Sequence, residues 1–192
     1  MGNYAQGGGV GGGLADTAQS NAIRAYAWGP LSVFGLVVAA ITCLVDQAAK
    51  FWLLLVYGLT EHAPVALSPF IDLLLTWNTG ISYGLFPQQG TVGQWALLAV
   101  KAAAVVFLWA WLARAASRLT ALALGLIIGG AFGNAFDRLH WPGVMDFVLF
   151  HVDTAAWSFR WYVFNLADVA IVAGVVGLLY ESLRGAGAVK AP

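Results

Sequence analysis

Four long apolar runs, almost free of charge, decide what this chain can fold into. They lie at about 31–57, 92–113, 119–139 and 163–183. A helix needs about 20 residues to cross ~30 Å of hydrocarbon, and each run is long enough. Mean hydropathy is +0.78, with 60% of residues hydrophobic and 9% charged, so the solvent of this chain is lipid. The 192 residues fit a single domain. The expected fold class is membrane α-helical, a four-transmembrane-helix bundle at 28–184. A small sheet and a loop or helix on the outer side complete it.

The ends read as tails. Residues 1–27 include G-G-G-V-G-G-G at 7–13 and cannot bury enough surface to fold, so a flexible tail is expected there. It is not read as a signal peptide, because its one basic residue is Arg24 and no small-residue cleavage site follows. Residues 185–192 form the other tail. Arg24, Arg114, Arg118, Arg184 and Lys190 flank one side of the runs, whereas 58–91 and 140–162 hold only Arg160. The positive-inside rule then places both termini in the cytoplasm. Trp52, Trp95, Trp141, Trp157 and Trp161 fall near the outer ends of the runs, where amphipathic rings favour the headgroup region.

Zero net charge argues against nucleic acid as a partner. Cys43, alone, reads as a buried small hydrophobe. His62, His140 and His151 lack ligand spacing; they read as loop or interface residues, and no metal or other cofactor is expected.

Against this background five polar islands stand out: D-Q-A-A-K at 46–50, N-T-G at 78–80, G-N-A-F-D-R at 133–138, V-M-D-F at 144–147 and F-N-L-A-D at 164–168. Ionisable groups in or beside spans are costly, roughly 2.5–3.5 kcal/mol each at a helix centre, and mark function. Helix rise puts them at one level: Leu119 to Asp137 is about 27 Å, and Leu183 to Asp168 and Leu31 to Asp46 are each about 22 Å. All three aspartates reach the outer edge of the hydrocarbon.

Segment 58–91 is too broken by Pro64, Pro69 and Pro87 to span. Residues 70–77 read as a strand entering a turn at Asn78-Thr79-Gly80, with 83–86 returning, in a small sheet on the membrane surface. G-I-S-Y-G at 80–84 matches G-x-S-x-G, but hairpin flanks do not make a nucleophile elbow.

The islands differ in chemistry. Gly125, Gly129 and Gly133 form a small stripe that lets another helix approach. Asp46 and Lys50, four apart, read as an ion pair that anchors something else, such as the outer sheet. Asp137 reads as a structural charge paired with the adjacent Arg138, while Asn134 and Arg138 are candidate donors to a substrate backbone. Asp146 and Asp168 have no basic residue within four positions. Two such carboxylates at a partly dry site would share a proton. One could then activate water while the other polarises a carbonyl. From the residues alone, Asp137 remains a rival partner in that pairing.

In this order and on these runs, the islands resemble the lipoprotein signal peptidase (signal peptidase II) family over about 30–183. The resemblance implies an intramembrane aspartyl endopeptidase. It would cleave diacylglyceryl-modified prolipoproteins before the lipidated cysteine, at the periplasmic face of the bacterial inner membrane, as a monomer among membrane lipid. It implies catalytic roles for Asp146 and Asp168. Asn134, Arg138, Asn165, Asn78 and Gly80 would lie around substrate, with Asp46, Lys50 and Asp137 in support. Two departures are visible: Ile81-Ser82-Tyr83 replaces the A-A-F frequent after N-T-G, and the stretch between Asp146 and Asp168 is longer than usual. The rival reading is a small proton-coupled transporter, which would set its acids at several depths.

Overall fold

The computed structural model describes residues 27–79 and 103–188. Helix α1 spans Ser32–Phe51 and runs on through a π-helical turn, Trp52–Val56. A short helix α2, Leu59–His62, follows Gly58, whose φ of 69° reverses the chain. Strands β1 (Val65–Ser68) and β2 (Ile71–Asn78) come next. Helix α3 (Ala103–Ala113) leads to α4 (Arg118–His140). Strands β3 (Val144–Asp153) and β4 (Ser158–Arg160) precede the last helix, α5 (Leu166–Ala188).

Three of these helices, Ser32–Val56, Arg118–His140 and Leu166–Arg184, are long and apolar enough to span a membrane. They fall on the first, third and fourth runs. Of the second run, 92–102 lies outside the described residues and the rest is the apolar helix α3. Gly80, the G-x-S-x-G stretch and the expected strand at 83–86 also lie outside them.

Helix α4 is the centre of the bundle because glycines let both neighbours touch its backbone. A methyl group on Gly125 would stand 2.6 Å from Gly35 O, and one on Gly129 would stand 2.4 Å from Ala39 O, both on α1. On another side, a methyl on Gly130 would meet Ala167 O of α5 at 2.5 Å. These are distances that no side chain tolerates, so the stripe seats α1 and a second set of small residues seats α5. At the far end Ser117 caps α4 by accepting from Thr120 N at 3.0 Å. The hydroxyls of Ser117 and Thr120 in turn bond Glu181 of α5. Cys43 is only half-buried, not the buried residue expected.

The sheet is larger than the sequence suggested. Its four strands run in the order β1-β2-β3-β4, all antiparallel. The stretch after Pro142-Gly143, expected to form a loop or helix, supplies half of it. Met145 and Phe147 pack one face against Leu53 and Leu59, burying V-M-D-F at 144–147 as the start of a strand. Within β2 the register shifts between Leu73, opposite Val148, and Thr76, opposite Asp146. Three residues of β2 thus face two of β3. One extra residue reverses the alternation of side chains, turning Asn78 onto the face of Asp146 and Trp77 onto that of Met145.

Helix α5 starts three residues later than the apolar run. Phe164 is held extended by two bonds with Val148, Phe164 N to Val148 O at 2.9 Å and Val148 N to Phe164 O at 2.8 Å.

Gly129→Ala and Gly130→Ala should each destabilise the protein by about 1–3 kcal/mol, the range for overpacking. Denaturant unfolding in detergent measures this; unchanged stability would mean the helices are not in backbone contact there.

Candidate active site

At the outer end of the bundle, Lys50 on α1 lies 2.7 Å from Asp46 Oδ2 and 2.7 Å from Asp137 Oδ2. All three are buried. The intrahelical pair was legible from spacing, but Asp137 pairs with Lys50 rather than with Arg138. Neighbours in sequence point about 100° apart on a helix, and Arg138 is exposed, donating to Asn134 O at 3.1 Å. Gln47 completes the cluster through Asp137 Oδ1 at 2.8 Å and Gly133 O at 3.0 Å. Gly133 has a second duty that the stripe did not reveal: a methyl there would stand 2.7 Å from Asp46 Oδ2.

The cluster holds backbone as well as charge. Asp46 Oδ1 accepts from Ala167 N at 2.9 Å, and Asp137 Oδ2 accepts from Met145 N at 3.1 Å. Ala167 immediately precedes Asp168, and Met145 immediately precedes Asp146. The buried ion cluster therefore fixes the main chain next to both Asp146 and Asp168.

Asp146 and Asp168 come from β3 and the first turn of α5. Asn165 caps that helix: its Oδ1 accepts from Asp168 N at 3.0 Å while Asp168 Oδ2 accepts from Asn165 N at 3.2 Å, a reciprocal box. The same Asn165 side chain donates through Nδ2 to Asp146 Oδ1 at 2.6 Å. Asn134 Nδ2 donates to Asp168 Oδ1 at 2.8 Å. The Asn134 oxygen accepts from Asn165 Nδ2 at 3.1 Å and from Lys50 Nζ at 3.3 Å. Asn78 Nδ2 reaches Asp146 Oδ2 at 3.2 Å from β2. Three asparagines thus bracket two carboxylates, and among the described residues neither carboxylate forms an ion pair.

The two acids are not equivalent. Asp146 is buried and Asp168 partly open. Burial pushes the Asp146 carboxyl up to about 6. The Asn78 hydrogen bond opposes that rise, the nearby Asp168 charge adds to it, and Asn165 and the Lys50 charge oppose it. This arrangement can hold one proton between two acids and place the other carboxylate against water. All the acids and amides of the site sit at one end of the bundle, which does not suit a relay along its length.

Asp137→Leu should cost about 3–5 kcal/mol in unfolding stability, because it breaks a buried ion cluster and strips Met145 N of its acceptor. Arg138→Leu, by contrast, should change stability by less than about 0.5 kcal/mol. Comparable losses in both variants would contradict the pairing of Asp137 with Lys50.

Residues 38–184 match the family described as Signal peptidase (SPase) II. Similar proteins include a lipoprotein signal peptidase of Rhodopseudomonas palustris (strain TIE-1), 56% identical over 158 residues, which are 82% of this chain and 96% of that one. Another, from Methylorubrum extorquens (strain PA1), is 53% identical over 152 residues, covering 79% and 86% of the two chains. In fold, the chain is similar to a bacterial membrane enzyme structure solved by the in meso method at 2.3 Å resolution. The TM-score is 0.63 at 20% identity, over 83% of this chain and 93% of the other. A family match of this length, with relatives this close, sits on a site built from paired acids and their amide partners: the chain belongs to the signal peptidase II family of aspartic-type peptidases.

Proposed function

We propose that the protein removes signal peptides from diacylglyceryl-modified prolipoproteins by cleaving before the lipidated cysteine, with Asp146 and Asp168 as its catalytic dyad. The observation that carries the reading is the Asn165 side chain, which bonds Asp146 and the backbone N–H of Asp168 at once. It ties two acids from separate elements into one unit, and among the described residues neither acid forms an ion pair.

Asp146 holds the proton, since it is the buried acid whose carboxyl burial raises. It donates a hydrogen bond to the scissile carbonyl and stabilises the oxyanion as it forms. Asp168, the more open acid, takes a proton from water, whose oxygen attacks the carbonyl carbon. The tetrahedral intermediate collapses with the carbon–nitrogen bond, and the amine departs with the proton that Asp168 acquired. Arg138 is exposed beside the dyad and is assigned to the substrate backbone. Asn134 has its oxygen and one N–H committed within the site, so its first task is to orient Asp168. Asn78 holds Asp146 from the sheet, and Gly80 is assigned beside it. The second apolar run completes a four-span bundle, with both termini cytoplasmic and the dyad at the periplasmic face of the inner membrane. The protein acts as a monomer surrounded by lipid.

Asp146→Asn and Asp168→Asn should each lower kcat by about 10²–10⁴-fold on a purified lipidated precursor, while the proteins still insert and unfold normally. The unlipidated twin should not be cut. Turnover near wild type in either variant would remove that residue from the dyad.

The pH profile follows from the proton on Asp146. In the free enzyme kcat/KM should fall as pH rises through about 6, because the acid form is lost. Asn78→Leu removes a hydrogen bond that favours the carboxylate, so the alkaline limb should move to higher pH. A limb that moves to lower pH would give the proton to Asp168 instead.

A further inference from the structure

The hairpin between the two acids has two unlike faces. Cross-strand pairs Val152↔Phe159 and His151↔Arg160 fix its register, and Trp161 N bonds Phe150 O at 2.8 Å. Alternation then places Phe150, Val152, Trp157, Phe159 and Trp161 together on one face. The rings touch in series: Trp157 and Phe159 stack with centroids 5.6 Å apart and planes 9° apart, and Phe159 and Trp161 follow at 5.8 Å. Trp157 and Trp161 are nonetheless 57% and 53% exposed.

The opposite face is charged and internally tied. His151 Nδ1 lies 2.9 Å from Asp153 Oδ2, and Nε2 stands 3.2 Å from Asp72 Oδ2, close but not aligned as a hydrogen bond. Arg160 approaches Asp153 at 3.7 Å, and the Ser158 hydroxyl donates to the same carboxylate. Bonds from Ser158 and His151 hold the Asp153 carboxyl below its ordinary range, so this face carries charge and belongs in water.

We infer that this aromatic face is seated on the outer leaflet, making the β3–β4 hairpin an interfacial phospholipid anchor that fixes the depth of β3. Three things on the molecule select lipid over a second copy or a peptide. The hairpin joins a lipid-facing surface directly, because four residues lie between Trp161 and Leu166, five chain steps that reach at most about 17 Å, and Leu166, Val169 and Val172 on α5 are exposed. Two tryptophans flanking a phenylalanine, with a tyrosine beside them, have the chemistry of the headgroup boundary. The charged reverse face would be stranded if the hairpin were buried from both sides. Asp146 lies on the same face of β3 as Phe150 and Val152, so the seat of the hairpin on lipid also sets the level of that acid. The inference depends on membrane character and not on the catalytic reading.

The test is fluorescence of the full chain in phosphatidylcholine vesicles, comparing wild type with the double variant Trp157→Phe/Trp161→Phe. Both substitutions of the double variant retain a ring, so it should fold. The emission that the two tryptophans contribute should be quenched by phosphatidylcholine brominated near the glycerol end and spared by iodide on both sides. Phe159→Asp should reverse this, opening that emission to iodide. Quenching by iodide but not by bromine overturns the inference. So does protection from both, which would mean that protein covers the face. Neither readout involves peptide cleavage, so the anchor and the proposed activity can fail separately.

Discussion

One buried ammonium between two buried carboxylates is the interaction on which the active end depends. Lys50 meets Asp46 and Asp137 at 2.7 Å each, and taking such charges from water costs several kcal/mol per ion before any return. An ion cluster is therefore a poor device for stability alone. What it provides is position, because each carboxylate also accepts a backbone N–H, from Ala167 and from Met145. Three helices and the sheet are brought to one point, and the residues fixed there are those directly before Asp168 and Asp146. Gly133 is part of the same device, since any side chain in its place would displace Asp46.

The direction of every amide in the site follows from that fixed frame. Lys50 can only donate, so it faces the Asn134 oxygen and turns the Asn134 nitrogen towards Asp168. Asp168 N can only donate as well, so it faces the Asn165 oxygen and turns that nitrogen towards Asp146 and Asn134. Two obligatory donors thus orient two asparagines without ambiguity. An ambiguous amide would let either acid lose its partner.

Much of this could be read from residues. The first, third and fourth apolar runs gave their helices to within a few residues, and the i, i+4 spacing gave the Asp46–Lys50 pair. The level of the aspartates followed from helix rise. Three things did not follow, for different reasons. Pairing Asp137 with Arg138 mistook adjacency in sequence for adjacency in space; the neighbour that matters is on another helix. Strand β3 was concealed because a short, largely apolar stretch beside a membrane span fits loop, helix or strand, and only Leu53 and Leu59 beneath it decide. The face of Asn78 depends on a one-residue bulge, and no local pattern in L-L-L-T-W-N marks where the extra residue is absorbed.

That bulge also explains why the acids differ. Without it, β2 would turn Trp77 towards Asp146, and an indole can offer only one ring N–H where the asparagine offers a short amide. With it, Asp146 sits buried on a strand between two amide donors, one from β2 and one from the cap of α5. Asp168 stands partly open at the third position of α5, its carboxylate accepting from Asn165 N at the cap and from Asn134 Nδ2. Strand and helix terminus offer opposite surroundings to the same functional group. A pair of acids needs such a difference to divide the work of holding a proton and taking one, and here it is the meeting of β3 with the cap of α5, not any added charged residue, that supplies it.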